Sequence, residues 1–191
     1  RLAPVLKDFS KRYPDVQLNI QFEDSEVAYQ MVRSGQVELA VVTLNPDQTE
    51  LDADLIAAAV WHDPLVFVSS AAKAKAATMQ TLASEPCILP GLATYTGRIV
   101  MHRFAQAGLA LKPTLSTNYL ETIGMLVSVG LGWSVLPHSM VGDLTALDVN
   151  CEPIYRTLGS VINDKRTLSN SATAFLSVLE GYVCTDIDLF D

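Results

Sequence analysis

An α/β architecture in two lobes is what this sequence predicts, and three observations carry the prediction. Segments with the period of a helix alternate with short runs that read as strands from the first residues onward. A second such α/β set starts after residue 70. The longest apolar runs, such as Leu55 to Trp61, are far too short to span a bilayer. Helices alternating with strands argue for a parallel sheet covered on its faces. Two such lobes joined by crossing strands create a cleft, the usual place for a small ligand.

Leu2, Val5, Leu6, Phe9 and Tyr13 mark one face of an opening helix that ends at Tyr13-Pro14-Asp15, because proline disfavours helix in the residue before it. Val16 to Phe22 alternates strictly and predicts a half-buried strand. Ser25 is a candidate cap for a second helix, and Gly35 its terminator. Leu39 to Val42 is a continuous apolar run, suited to a strand covered on both faces. Asp63-Pro64 turns the chain into a strand at Leu65 to Val68. Ala71 to Ala77 reads as an exposed connection or short helix. In the second set, a strand at Cys87 to Pro90 leads through a loop, residues 91 to 97, into a helix from about Arg98 to Ala107. A short strand at Leu115 to Asn118 follows, then a helix carrying Leu120, Ile123, Leu126 and Val127, closed by Gly130 and Gly132. Trp133 to Pro137 is a strand with Trp133 in the core. The chain finishes with a strand near Gly159 to Ile162 and a helix near Ser171 to Tyr182.

With 49% hydrophobic and 18% charged residues the chain is an ordinary globular composition. Its net charge of −8 repels a phosphate backbone, so these residues alone are not expected to bind nucleic acid. Cys87, Cys151 and Cys184 are widely spaced and odd in number, the pattern of buried free thiols in a reducing compartment, with one disulfide and a thiol left over as the alternative. His62, His102 and His138 stand in separate segments with no metal spacing, and Ser128 has no nucleophile elbow. No convergent acid, base or nucleophile emerges, so neither an enzyme nor a cofactor is expected.

The order of segments resembles the effector-binding domain of LysR-type transcription regulators over essentially the whole chain. Leu2-Ala3-Pro4-Val5-Leu6, Phe9 and Tyr13-Pro14-Asp15-Val16 resemble that family's first domain helix and its exit. Gly35-Gln36-Val37-Glu38-Leu39-Ala40-Val41 is similar to its G-x-(L/V)-(D/E)-L-A-(I/V) segment. Leu126-Val127-Ser128-Val129-Gly130-Leu131-Gly132, with Leu136-Pro137 after it, is similar to its L-V-x-x-G-x-G stretch. The resemblance implies two Rossmann-like lobes around a ligand cleft, the type 2 periplasmic-binding-protein-like fold, with lobe I at 1–69 plus 164–191 and lobe II at 70–163. It implies a cytoplasmic regulator that binds a small-molecule effector, a carboxylate being the class suggested. It also implies a homodimer, tetrameric when full-length, pairing through the opening helix and the helix from Arg98. Residue 1 is arginine, and the family's winged helix-turn-helix and a first strand belong ahead of it; DNA contact is expected only through that absent domain. A periplasmic solute-binding protein of the same broad fold is the alternative.

Thr94-Tyr95-Thr96-Gly97-Arg98 opens a helix, where free N–H groups and the dipole favour an anion. Thr96 as N-cap with Thr94 beside it is expected to hold a carboxylate, against the alternative that one threonine only caps its own helix. Thr43 follows a strand, where open α/β sheets bind ligands, or else satisfies loop backbone. Asn118 and Tyr119 occupy the equivalent turn in the second lobe, with Asn118 alternatively an N-cap. Leu44, Val68 and Leu92 are expected as apolar walls. Arg98 pairs with the ligand or faces solvent.

Overall fold

The computed structural model describes residues 1–45, 54–70 and 76–183. The chain divides into two compact units, Arg1–His62 with Thr157–Asp191, and Asp63–Arg156. It passes between them inside two strands, Leu55–Ser69 and Ile154–Asn163. The boundaries read from sequence, after Ser69 and Asn163, are the ends of those same strands. A change of packing partner midway along a strand leaves no break in composition for the sequence to display.

In the first unit, α1 (Leu2–Arg12) forms from the apolar spacing noted above and buries Val5 and Phe9. α2 (Ser25–Ser34) has Asp24 rather than Ser25 at its N-cap. Ser25 instead uses its hydroxyl to accept the N–H of Thr43 at 3.1 Å, tying the start of α2 to the end of β1 (Leu39–Thr43). Gly35 ends α2 at φ 76°, a conformation that side-chain-bearing residues rarely adopt. β1 pairs antiparallel with the distal half of Ile154–Asn163, from Leu39 opposite Ile162 to Thr43 opposite Leu158. The helix–strand alternation predicted a parallel sheet here, yet the partner is an antiparallel strand from more than a hundred residues downstream. Leu39 and Val41 pack on a core of Val5, Phe9, Val60, Trp61, Phe175, Val178 and Leu179. Phe175, Val178 and Leu179 come from the closing helix, Asn170–Glu180, which Ser169 caps through the N–H of Ala172. The Trp61 indole N–H donates to the Tyr182 carbonyl at 2.9 Å.

Val16 to Phe22, predicted as a strand, forms none among the described residues. Leu18, Ile20 and Phe22 stand 38, 45 and 87% exposed. Alternation specifies which faces a strand would present, but a strand exists only when a neighbouring backbone accepts its hydrogen bonds.

In the second unit, β2 (Leu55–Ser69) carries its Leu65–Val68 stretch antiparallel to Ser134–Pro137. A short helix, α3 (Met79–Ser84), which the sequence reading passed over, is capped by Thr78. Residues 71–75 of the predicted connection, and Cys184, lie outside the described residues, while Ala76–Ala77 is a short strand, β3. β4 (Ile88–Leu89) runs parallel to β5 (Leu115–Ser116), and Cys87 bridges Trp133 in parallel on its other side. Alternation along β4 splits the core. Cys87 and Leu89 join Val100 and Phe104 of α4 (Tyr95–Gln106), together with Phe67 and Trp133. Ile88 joins Ile123 and Val127 of α5 (Leu120–Ser128), together with Val68 and Leu136. So α4 covers one face of the sheet and α5 the other. Trp133 is fully buried as expected, and its indole N–H donates to the Leu82 carbonyl at 2.8 Å. Arg156 Nε donates to Asp63 Oδ2 at 2.7 Å in a largely buried ion pair.

Candidate functional site

β4 and β5 are parallel neighbours whose following helices leave to opposite faces of the sheet. The carboxyl ends of two such strands open a crevice, because their loops diverge there and leave backbone groups uncovered. The loop after β4 runs from Pro90 to Thr94, and the loop after β5 from Thr117 to Tyr119. One hydrogen bond ties them, from the Gly91 N–H to Asn118 Oδ1 at 3.1 Å. Ser116 adds a second link, its hydroxyl donating to the Leu89 carbonyl at 3.1 Å.

The start of α4 is pressed against this junction. A methyl group at Gly97 would lie 2.3 Å from the Gly91 carbonyl oxygen and 2.8 Å from that of Pro90, so only glycine permits the approach. Thr94, not Thr96, is the N-cap: its Oγ1 accepts the Gly97 N–H at 3.1 Å and donates to the Gly91 carbonyl at 2.7 Å. This corrects the predicted helix start at Arg98, which had placed Thr96 at the cap. Thr96 sits one residue inside the first turn and is only 8% exposed. Neither its hydroxyl nor its N–H has a hydrogen-bond partner among the described residues, and the hydroxyl is not sealed from solvent. An unengaged donor pair at the positive end of a helix is suited to receive an anion.

The remaining residues singled out by sequence divide by unit. Leu92 and Tyr119, on the two loops, are 55 and 74% exposed and offer apolar surface beside Gly91 and Asn118. Asn118 is not the cap of α5, a position Tyr119 takes without a side-chain bond. Tyr95 is buried, and the Arg98 guanidinium lies 4.8 Å over its ring. Arg98 is therefore half-buried against α4 itself and not an extended solvent-facing chain. Val68 is fully buried between Ile88, Ile123 and Leu136. It is core, not a wall open to a ligand, because its face of β2 is the one α5 covers. Thr43 and Leu44 belong to the first unit. The Leu44 N–H donates to the Thr157 carbonyl at 2.8 Å. Thr43 is 6% exposed, and its hydroxyl, like that of Thr96, has no partner among the described residues. Gly91 and Ser116 were missed in sequence; a glycine directly after a strand was the available signal for the first.

Under the junction, Cys87 is fully buried and directs its thiol to the Lys112 carbonyl. Burial pushes this thiol above its ordinary value, with the hydrogen bond from the Thr114 backbone opposing. Cys151 is raised as well, by burial first, with Arg103 lowering and Glu152 raising it. Thiols held protonated are poor nucleophiles.

Residues 1–183 match the family model described as the LysR substrate binding domain. The chain is 31% identical over 158 residues to the HTH-type transcriptional regulator CysB of Haemophilus influenzae, covering 78% of this chain and 46% of that protein. It is 26% identical over 146 residues to a probable nitrogen assimilation transcriptional activator of Synechococcus elongatus, covering 74% and 47%. It thus spans about half the length of these relatives. Among solved structures it is similar to the CcmR regulatory domain of Synechocystis PCC6803 in complex with 2-PG, with TM-score 0.84 and 21% identity over 96% of this chain and 91% of that one. The effector binding domain of QuiR in complex with shikimate also superposes at TM-score 0.84, with 16% identity over 95% and 90% of the two chains.

Proposed function

Since the chain belongs to the LysR substrate-binding-domain family, we propose that it is the effector-sensing part of a DNA-binding transcription regulator and that its effector is a small anion held at the start of α4. The observation that carries the reading is Thr96: buried, solvent-reachable, and with both donors unengaged at a helix N-terminus. Thr94 is unavailable for the same task, because its hydroxyl is already used twice within the protein. Leu92 and Tyr119 supply apolar surface for the rest of the ligand, and Asn118 holds the two loops in register. The relatives named as transcriptional regulators, and the neighbours holding 2-PG and shikimate, support a small acidic effector.

For the ligand to act as a signal it must bind one conformation of the regulator better than another, since equal affinity shifts nothing. DNA contact belongs to residues outside this chain, whose own charge of −8 opposes it. Assembly as a homodimer, and as a tetramer when full-length, is part of the same proposal. α1 and α4 bury Val5, Phe9, Val100 and Phe104 within their own units, so any pairing through them uses their outer, largely polar faces.

The test is titration calorimetry with small carboxylates and phosphorylated acids, beginning with shikimate and 2-PG. A hydrogen bond to a charged group contributes about 1.5–3 kcal/mol, so Thr96→Val should weaken a binding acid roughly 10- to 100-fold. Thr43→Val is measured alongside. An acid that binds the parent and Thr96→Val equally tightly removes the site. A bound acid that leaves the full-length regulator's affinity for its own upstream DNA unchanged removes the sensor reading.

A further inference from the structure

Both strands that join the two units change cores at the same level. β2 gives Val60 and Trp61 to the core of the first unit, and Leu65 and Phe67 to a core of the second. The strand Ile154–Asn163 does the reverse, with Ile154 in the second unit's core and Leu158 packed on that of the first. Their sheet neighbours change with them. Ser134–Pro137 pairs with β2 from Leu65 onward, and β1 pairs with Ile154–Asn163 from Leu158 onward. Short of those limits the two strands have, among the described residues, only each other as strand partners. The sheet is thus reduced there to a two-stranded ribbon, the least self-supporting and most readily twisted form of β-sheet.

Asp63 and Arg156 stand in that ribbon, and they are the terminal residues of the second unit, Asp63 its first and Arg156 its last. Arg156 Nε donates to Asp63 Oδ2 at 2.7 Å, with both side chains largely buried. Pro64, beside Asp63, brings no N–H to the ribbon at the same place. A buried ion pair adds little stability over an apolar pair of equal volume. What it adds is direction. A charged donor and acceptor at one distance hold two backbones against sliding and twisting, which a non-directional apolar contact does not.

We propose that this pair is a clasp on the ribbon, so that Asp63 and Arg156 set how freely the chain flexes where it passes from one unit to the other. With the clasp closed the two strands bend as one piece. Arg103 of α4 holds the approach to the same point: its guanidinium donates to Glu152 Oε2 at 2.8 Å and to the Pro153 carbonyl at 3.2 Å, just ahead of Ile154. Looseness released by opening the clasp is therefore confined to residues 61–64 and 155–157. This role goes beyond the sensor reading and does not depend on an effector.

Residue-resolved hydrogen exchange by NMR tests it on the Arg156→Met and Asp63→Asn chains, each beside its own urea unfolding curve. Amides of 61–63 and 155–157 should exchange on the order of 10-fold faster than in the parent, since the local opening of the ribbon becomes easier. Amides of 66–68 and 160–162 should rise only as far as the loss of global stability requires. Arg156→Lys, which keeps the charge but not the planar donor, should lie between the parent and Arg156→Met. Spin labels at Ser10→Cys and Gln106→Cys, with Cys151→Ser and Cys184→Ser, add a readout that global stability does not move. The distribution of distances between them should broaden in Arg156→Met. Ribbon amides that exchange as in the parent, or that rise no more than 66–68 and 160–162, overturn the clasp, and so does an unchanged distance distribution.

Discussion

Two threonines two residues apart, Thr94 and Thr96, differ in their hydrogen bonding, the first capping α4 and the second without a partner among the described residues, and replacing each by valine separates them. Valine keeps the shape and removes only the hydroxyl. In Thr94→Val the first turn of α4 loses its cap, which costs about 1 kcal/mol in typical cases. The Gly91 carbonyl also loses the donor now 2.7 Å away, adding about 0.5–1.5 kcal/mol. The sum is about 1.5–2.5 kcal/mol. In Thr96→Val no hydrogen bond among the described residues is lost, so the ligand-free protein should stay within about 0.5 kcal/mol of the parent. Urea unfolding followed by tryptophan fluorescence measures both. The chain has two tryptophans, Trp61 in the first unit and Trp133 in the second, so a Trp61→Phe background makes the signal report the unit that contains α4. Equal destabilisation by the two variants would refute the assignment, because Thr96 would then be structural. A Thr94→Val variant as stable as the parent would refute it from the other side.

Other consequences follow from the same packing. Gly97→Ala drives a methyl into the Gly91 carbonyl and should cost about 1–3 kcal/mol in the same urea assay while abolishing anion binding; a stable Gly97→Ala protein would mean the α4 start is looser than described. Asp63→Ala strands Arg156 in a largely buried setting and should cost about 3–5 kcal/mol, whereas replacing both partners by apolar residues should cost less; differential scanning calorimetry on the single and double variants decides between them. Cys87, with its thiol pushed up by burial, should resist alkylation by iodoacetamide in the native protein at pH 8 and react on unfolding, and rapid native labelling would contradict its burial. The same raised value means that above the ordinary thiol range the unfolded chain releases the proton first. The Cys87 contribution to stability is therefore full at neutral pH and is lost as pH climbs toward the folded-state value, and Cys87→Ala should flatten that alkaline slope in urea titrations.

Local periodicity was enough to place most of the elements. α1 and the closing helix announce themselves through apolar spacing, β1 through an unbroken apolar run, and Gly35 through its position at a helix end. Those signals are legible because each depends on neighbours a few residues away. The motifs around Gly35 to Val41 and Leu126 to Gly132 likewise pointed to the family that the match over residues 1–183 shows. What the sequence could not supply was partnership. Val16 to Phe22 has every local mark of a strand and is none among the described residues, since strand formation is decided by a backbone elsewhere. β1 found its partner at Leu158–Ile162 in an antiparallel sense that no local pattern encodes. At the start of α4 the sequence reading put Thr96 at the cap, where the structure has Thr94. Which threonine caps depends on where the first helical turn begins, and that is set by Gly97 pressing onto the Gly91 carbonyl, a contact between chain segments that only tertiary packing creates. Residue identity thus determined the period, the ends and the family, while the direction of each hydrogen bond, and so which donor stays unengaged, was decided by which segments the fold brings together.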